Sequence, residues 1–221
     1  MRTRGCIFDL DGVIVDTAKY HFLAWKRLAD QLGINFMETD NERLKGVSRM
    51  ESLEIILGLG KKNYSQNQKS VYATLKNKWY IEYISTMTPE EILPGSLEFI
   101  FELKRADIKV AIGSASKNTP MILNRVGIKE LFDAVADGNI VNKAKPDPEV
   151  FIKAADMVGI KLENCIVFED AIAGVQAAIN AGMMCIGVGS PEVLTEAHYV
   201  ISGLNEINLD KLKTIEEKIL L

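Results

Sequence analysis

Short apolar runs alternate with segments of helical apolar spacing from about residue 93 onward, and this alternation restricts the fold more than any other feature. Apolar runs of this length predict strands that are buried on both faces, and strands separated by helices form a parallel sheet with right-handed crossovers. The predicted strands are residues 6–8, 109–113, 133–136, 165–168 and 184–188, with 199–201 as a further edge strand. The predicted helices between them are residues 96–105, 119–126, 148–158 and 171–181.

Residues from about 15 to 90 interrupt the alternation, because only helical patterns occur there. The predicted helices cover residues 17–32, 48–57 and 66–85. Ser48 and Glu51 have capping-box spacing, and we expect Asp16 and Thr17 to cap the first of these helices. An insert directly after the first strand lies over the carboxyl edge of the sheet, where α/β proteins bind ligands. We therefore predict a core of residues 1–14 and 93–221 and an all-helical cap of residues 15–92 that acts as a lid.

Charge and hydrophobicity argue against several classes of partner. The formal net charge is −4, so a nucleic acid gains no general attraction, and an anionic substrate needs a local cluster of cations. No apolar run approaches the roughly 20 residues that span a bilayer. The number and spacing of Cys6, Cys165 and Cys185 argue against disulfides and against a zinc site. The N-terminus enters a strand too early for a signal peptide. We expect a monomeric, cytoplasmic protein that binds a small molecule, with no nucleic acid or membrane partner.

Polar residues that can support catalysis occur at the ends of the predicted strands. They are Asp9 and Asp11 after the first strand, Ser114 after the second, Lys145 just before a predicted helix, and Glu169 with Asp170 after residues 165–168. The carboxyl ends of parallel strands meet at one edge of the sheet, so these side chains are expected to share one crevice. A carboxylate is costly to bury unless it is paired or binds a cation. The crevice is therefore expected to contain cations.

These residues also carry a family resemblance. The sequence DLDG at residues 9–12, Ser114, Lys145 and the ED pair at 169–170 match, in order, the four motifs of the haloacid dehalogenase superfamily, which the chain resembles over essentially its full length. The resemblance implies an α/β fold with a Rossmann-like parallel-sheet core (HAD-like) and an inserted all-helical cap domain. It also implies a phosphotransferase. The chain departs from the pattern at FEDAIAG, where Ala171 takes a position that is often Ser, and we do not expect this change to disturb the metal ligands.

The resemblance assigns a catalytic role to four core residues. Asp9 is expected to be the nucleophile that forms an aspartyl phosphate, because phosphoryl transfer to a carboxylate needs an exposed nucleophile. Asp11 is expected to act as general acid and base on the sugar oxygen. Ser114 and Lys145 are expected to hold the transferring phosphoryl group, and Lys145 also offsets its charge.

A magnesium site is implied by the same resemblance. Mg²⁺ prefers hard oxygen ligands in octahedral geometry. Asp9 and Asp170 are expected to supply carboxylate oxygens, and Asp11 its backbone carbonyl. Glu169 is expected to assist, either as a ligand or as a partner of the ligands.

Cap and loop residues are expected to bind the substrate, because LKGVSR at residues 44–49, SASKN at 114–118 and the helix with His21 and Trp25 resemble superfamily phosphomutases that act on β-glucose phosphates. Arg49 offers a bidentate fork for the phosphate that is not transferred, and His21 is expected to align Asp11 on closure. Without this context, His21 and Trp25 would be packing residues and Lys76 a solvated lysine. The predicted substrate-binding set is His21, Trp25, Lys45, Gly46, Val47, Ser48, Arg49, Ser52, Lys76, Ala115, Ser116, Lys117 and Asn118.

The predicted function is a Mg²⁺-dependent mutase that interconverts β-D-glucose 1-phosphate and glucose 6-phosphate, with β-glucose 1,6-bisphosphate as the activating intermediate. The alternative is a sugar-phosphate phosphatase of the same fold, in which water accepts the phosphoryl group. A non-catalytic binding protein is a third possibility, although the intact set of Asp9, Asp11, Lys145 and Asp170 argues against it. The sequence leaves open the metabolic source of the substrate and the tolerance of other β-hexose phosphates.

Overall fold

The fold is built on one parallel sheet, seen in a computed structural model that describes residues 2–220. Its strands are β1 (Gly5–Phe8), β2 (Lys109–Gly113), β3 (Ala134–Ala136), β4 (Cys165–Glu169), β5 (Met184–Val188) and β6 (Tyr199–Ile201). All pairings between these strands are parallel, and the order across the sheet is β3-β2-β1-β4-β5-β6. The predicted parallel α/β sheet is confirmed, including the edge strand at residues 199–201.

The helices fall into two groups along the chain. Those between β1 and β2 are α1 (Ala18–Gln31), α2 (Glu38–Asn41), α3 (Arg49–Leu59), α4 (Gln66–Ile84) and α5 (Ser96–Arg105). Those that follow β2 are α6 (Thr119–Arg125), α7 (Glu149–Val158), α8 (Ile172–Asn180) and α9 (Leu209–Leu220). The first four form an all-helical insert after β1, whereas the division into a core of residues 1–14 and 93–221 and a cap of residues 15–92 stays a prediction. None of the helices within residues 2–220 has the length and apolarity that crossing a bilayer requires.

Alternate residues of each central strand enter two different hydrophobic clusters. Phe8 packs with Phe99 of α5 and Phe168 of β4 on one face, where the Phe8 and Phe168 rings stack 4.8 Å apart. Ile7 packs with Phe151 of α7 on the other face. Burial on both faces explains why the strands appear in the sequence as continuous apolar runs.

Strand register brings three chain segments to one point at the carboxyl edge of the sheet. Phe8 aligns with Ile112 of β2 on one side and with Phe168 of β4 on the other, so Asp9 lies between the ends of both neighbours. The backbone N–H of Asp9 donates to Phe168 O at 2.9 Å. Because the chain continues to opposite sides of β1, this edge is a topological switch point, where α/β sheets bind ligands.

The cap leaves and rejoins the core through two adjacent segments. Asp16 N donates to Glu91 O and Leu93 N donates to Ile14 O, both at 2.9 Å. Val15 and Ile92 form an antiparallel bridge between these bonds. The two connections therefore lie side by side.

Helices α2 and α9 were not predicted. The four residues of α2 are too short a run to show a helical period. Helix α9 buries Leu212 and Ile215, and Glu216 accepts hydrogen bonds from the backbone N–H and the hydroxyl of Thr3. Long-range contacts with the N-terminal segment therefore help to hold α9 in place.

Candidate active site

A cavity of about 550 Å³ lies between the carboxyl edge of the sheet and the cap. It is lined by every predicted site residue except Glu169, which is fully buried behind it. The cavity has the size of a pocket for a small molecule. The structure therefore brings together residues from both ends of the sequence, while the role of each residue remains a prediction.

Lys145 joins two carboxylates at the base of this cavity. Its Nζ donates to Asp9 Oδ1 at 2.6 Å and to Glu169 Oε2 at 2.8 Å, and all three side chains are buried. Burial alone would lower the pKa of Lys145, but the charges of Asp9 and Glu169 raise it above its ordinary value. Lys145 therefore remains protonated and fixes the Asp9 carboxylate in place.

The predicted metal ligands form a compact group of carboxylates. Asp9, Glu169 and Asp170 each place an oxygen within 4.8 Å of the others. Burial, and next the charge of Asp9, raise the pKa of Asp170 to about 7. Burial is also the main reason that the pKa of Glu169 rises to about 8. Crowded hard oxygen donors of this kind suit Mg²⁺, so the residues present fit the predicted cation.

The absence of a side chain at Gly12 leaves space for the Asp170 carboxylate. Its φ is +82°, and a Cβ at this position would lie 2.3 Å from Asp170 Oδ2. A side chain would therefore displace Asp170 as well as strain the backbone.

The Asp11 side chain is held by Thr17. The Thr17 hydroxyl donates to Asp11 Oδ1, whereas Asp16 Oδ1 accepts from Ala18 N at 3.2 Å. Thr17 therefore occupies the N-cap position of α1, as predicted, but its hydroxyl bonds to Asp11 and makes no capping bond in the helix. Burial, and next the charge of Asp9, raise the pKa of Asp11 to about 6. Such a carboxyl group is suited to donating and accepting a proton near neutral pH.

Lys76 lines the cavity and forms no ion pair with a carboxylate within residues 2–220. Its Nζ is 3.1 Å from His21 Nδ1 and 4.6 Å from the centroid of the Trp25 ring. Only 2% of the residue is exposed, so the alternative of a solvated lysine is wrong. Burial, and next the charge of Arg49, lower its pKa well below the ordinary value. His21 faces Lys76 here, and its predicted action on Asp11 remains untested.

The first turn of α3 presents Arg49 to the cavity. No carboxylate within residues 2–220 forms an ion pair with Arg49, and burial lowers the pKa of its guanidinium. Ser48 Oγ accepts from Glu51 N at 3.2 Å, which is one half of the predicted capping box, and Ser52 Oγ donates to Ser48 O at 3.1 Å. The two hydroxyls thus stabilise the helix end, while Arg49 is available to an anion.

The loop after β2 is ordered by its own hydroxyls. Ser114 Oγ accepts from Ser116 N, and Ser116 Oγ accepts from Asn118 N, both at 3.2 Å. Asn118 Nδ2 then donates to Asn77 Oδ1 of α4 at 3.1 Å, which links the core to the cap. Lys117 is exposed at the mouth of the cavity.

The cavity is also lined by residues outside the predicted site set. Those with side chains that can make polar contacts include Thr17, Asn41, Asn77, Tyr80 and Lys143. A sequence signal existed for Tyr80 and also for Lys76, because both share the helical stripe of α4 with the buried Ala73 and Ile84. Nothing comparable distinguishes Asn41 or Asn77.

The chain is similar in sequence and structure to several known proteins. A sequence model of the haloacid dehalogenase-like hydrolases matches residues 3–182. A β-phosphoglucomutase of Bacillus subtilis is 43% identical over 211 residues, covering 95% of this chain and 93% of that protein. The crystal structure of a β-phosphoglucomutase from Clostridium difficile has a TM-score of 0.93 and 40% identity, covering 99% of this chain and 100% of that one. A phosphorylated carbohydrates phosphatase of Thermotoga maritima is 31% identical, covering 80% of this chain and 81% of that protein.

Proposed function

This chain belongs to the haloacid dehalogenase-like hydrolase family, and from that premise we propose that it catalyses the β-phosphoglucomutase reaction. The reaction interconverts β-D-glucose 1-phosphate and glucose 6-phosphate. The two mutases named above are more similar to the chain, and cover more of it, than the Thermotoga phosphatase. The mutase is therefore favoured over the phosphatase alternative.

An excess of cations around the cavity is the observation that supports this function best. Six cationic residues line it, against the three carboxylates Asp9, Asp11 and Asp170. The cations are Lys45, Arg49, Lys76, Lys117, Lys143 and Lys145. The whole chain has a net charge of −4, so this excess is local. Such an environment suits a substrate with a phosphate at each end.

Phosphoryl transfer begins with attack by an Asp9 carboxylate oxygen on phosphorus. The bond between phosphorus and the sugar oxygen breaks, and Asp11 donates its proton to the leaving oxygen. Lys145 orients Asp9 and, with Ser114, holds the phosphoryl oxygens. In the reverse direction Asp11 removes the proton from an incoming sugar hydroxyl, which attacks the phosphorus and releases Asp9.

The metal site belongs to the same proposal. Asp9, Glu169 and Asp170, together with the Asp11 backbone carbonyl, would hold Mg²⁺, which when bound offsets the negative charge of the phosphoryl group.

An enzyme that transfers the phosphoryl group in both directions is a mutase when the C1 and C6 oxygens of one sugar both take part. Phospho-Asp9 first transfers its phosphoryl group to the C6 hydroxyl of β-glucose 1-phosphate, which forms β-glucose 1,6-bisphosphate and frees Asp9. The bisphosphate then reverses its orientation, and Asp9 takes the phosphoryl group from its C1 oxygen, which leaves glucose 6-phosphate and restores phospho-Asp9. The site must therefore hold a passive phosphate while the opposite end reacts. Arg49 from the cap and residues 116–118 from the core perform this task, and residues 15–92 act as the lid over it.

A coupled assay tests this function. The enzyme is given α- or β-glucose 1-phosphate, with and without catalytic β-glucose 1,6-bisphosphate, and glucose 6-phosphate is measured. We expect conversion of the β anomer only, stimulated by the bisphosphate. Release of inorganic phosphate from either anomer without isomerisation would support the phosphatase instead.

A further inference from the structure

Two polar atoms in the interior of the protein have no hydrogen-bond partner. Within residues 2–220, Asn41 Oδ1 and Tyr80 Oη are the buried side-chain oxygens or nitrogens without one. Both residues line the cavity described above. A buried polar atom carries a desolvation penalty unless a partner is supplied. That the two residues with such atoms both line the same cavity points to a bound molecule as the source of partners.

The Tyr80 phenol is held in one position by its neighbours. Its ring lies 4.2 Å from the His21 ring, and Lys76 Nζ is 4.5 Å from its centroid. The residue is fully buried. The ring is therefore fixed by packing, and its hydroxyl is left to make a directed contact.

The Tyr80 phenol is influenced by charged groups from both parts of the cavity. Burial, and next the negative charge of Asp11, raise the pKa of Tyr80 well above its ordinary value, while the charge of Arg49 acts in the opposite direction. The phenol therefore stays protonated and lies within the influence of both Asp11 and Arg49. In the proposed function the sugar ring lies between these two residues, since Asp11 serves its reacting end and Arg49 its passive phosphate.

From this arrangement we propose that Tyr80 Oη donates a hydrogen bond to a ring hydroxyl of the bound hexose phosphate. The inference rests on the proposed function and adds to it a contact that recognises the sugar itself. A neutral donor suits an uncharged hydroxyl, whereas the surrounding cations suit phosphate. A hydroxyl-binding group of this kind discriminates against sugars that lack the matching hydroxyl.

The alternative to a contact with the sugar is that the Tyr80 phenol acts through Thr17. The Thr17 hydroxyl lowers the pKa of the phenol, so it lies nearby. Its proton is donated to Asp11, however, and no hydrogen bond of normal geometry joins it to Tyr80 Oη. If the phenol acted through Thr17 it would support Asp11, and its loss would slow every reaction that needs Asp11.

The substitution Tyr80→Phe removes only the hydroxyl and keeps the ring against His21 and Lys76. Phosphoenzyme is prepared, and its single-turnover decay is followed in water alone and with glucose 6-phosphate. We expect transfer to glucose 6-phosphate to slow by about 10-fold, the usual effect of losing one neutral hydrogen bond, with hydrolysis unchanged. The matched control is Tyr83→Phe on the same helix, outside the cavity, which should leave both rates unchanged.

Deoxy sugars identify the hydroxyl that is bound. With 2-, 3- and 4-deoxyglucose 6-phosphate as acceptors, one compound should react about 10-fold more slowly than glucose 6-phosphate with the wild type. The same compound should show no further loss with Tyr80→Phe, because the two deletions remove one contact. Thermal unfolding should place the variant at or above the wild type, since a buried unpartnered atom has been removed.

Three results would overturn the proposal. They are an unchanged rate of transfer to sugar in Tyr80→Phe, an equal loss in both decay reactions with a shifted pH–rate profile, and a lower unfolding temperature than the wild type. The second result would mean that the Tyr80 phenol supports Asp11 through Thr17 and does not bind the sugar. A wild type that does not isomerise β-glucose 1-phosphate would overturn the proposed function and this inference together, whereas an active wild type with an unaffected variant would overturn only the inference.

Discussion

The two walls of the active-site cavity differ in how their charges are balanced. On the core side, Lys145 donates to Asp9 and Glu169 at 2.6 and 2.8 Å, so its cation is matched within the protein. On the cap side, Lys45 pairs with Glu42 at 2.9 Å and lies 3.8 Å from Asp170. Arg49, however, forms no ion pair within residues 2–220, and Lys76 Nζ lies against His21 and two aromatic rings. The nucleophile is therefore positioned before substrate arrives, while the cap wall keeps two cations, Arg49 and Lys76, for an anion.

This difference predicts two classes of variant. Changes in the core wall at Asp9, Asp11 or Lys145 should damage every reaction of the phosphoryl group, whether the acceptor is a sugar or water. Changes in the cap wall should damage transfer to sugar and spare hydrolysis, because water needs no grip on a second phosphate. The following predictions test that division, starting with the largest expected effect.

Asp9→Asn should abolish both mutase and phosphatase activity, because the amide cannot form a stable acyl phosphate. Incubation of the wild type with a phosphoryl donor should leave a base-labile phosphate on Asp9, located by mass spectrometry, and the variant should carry none. The exposed Asp210→Asn serves as control. A label on Ser114 would contradict the assignment.

Asp11→Ala should slow both transfer to sugar and hydrolysis by roughly 10²–10⁴-fold, the usual contribution of general acid–base catalysis. Binding of Mg²⁺, measured by calorimetry, should persist because the backbone carbonyl remains. A loss of only a few-fold would show that the proton is carried by another group. Selective loss of transfer to sugar would place Asp11 with the cap wall and break the division.

Arg49→Ala should slow transfer to glucose 6-phosphate by on the order of 10²-fold, since a charge-assisted bidentate contact is about twice as strong as a neutral one. Hydrolysis of phospho-Asp9 should be unchanged in single-turnover decay. Arg49→Lys should recover only part of the rate, because a point charge lacks the fork. Arg43→Ala, an exposed neighbour on the cap, is the control. Equal losses in both reactions, or no loss in either, would remove Arg49 from the site.

Lys76→Met should stabilise the substrate-free protein by on the order of 1–2 kcal/mol, because it removes a buried cation without a carboxylate partner. Transfer to sugar should fall at the same time, by about 10-fold. Lys78→Met, on the exposed side of the same helix, should change neither. A destabilised Lys76→Met would mean that the ammonium is already balanced in the free enzyme.

The stability gain in Lys76→Met should also depend on pH. The pKa of Lys76 is lowered in the folded state, so the unfolded chain binds more protons and wild-type stability rises with pH. The advantage of the variant should therefore shrink as the pH rises toward the ordinary pKa of lysine. Chemical denaturation between pH 7 and about pH 9.5 measures this difference. A stability difference between Lys76→Met and the wild type that widens with pH would contradict a lowered pKa of Lys76.

The sequence predicted the core wall more completely than the cap wall. Asp9 follows a buried strand and Glu169 ends another, so the parallel pattern alone indicated that they meet. On the cap, helical spacing showed which faces are buried but not which polar atoms remain without a partner. The Thr17 hydroxyl was therefore assigned to helix capping rather than to Asp11, and Tyr80 was missed, because both roles depend on how α1 and α4 pack together.

Lys76 shows where such a prediction can be improved. The run Lys76-Asn-Lys78 appears polar, yet Lys76 lies three residues after Ala73 and four before Tyr80, on the buried stripe of α4. A lysine on an apolar stripe is a better indicator of a ligand site than its immediate neighbours in the sequence suggest.

The side-by-side connections at Ile14–Asp16 and 91–93 have a consequence for how such proteins diversify. A segment whose two ends lie within hydrogen-bond distance is an autonomous cassette, which can be lengthened, replaced or exchanged between relatives without separating the strands that flank it. Asp9, Lys145 and Glu169 all lie outside that cassette. Selection for a new substrate can therefore act on the inserted helices while these three core residues are left in place.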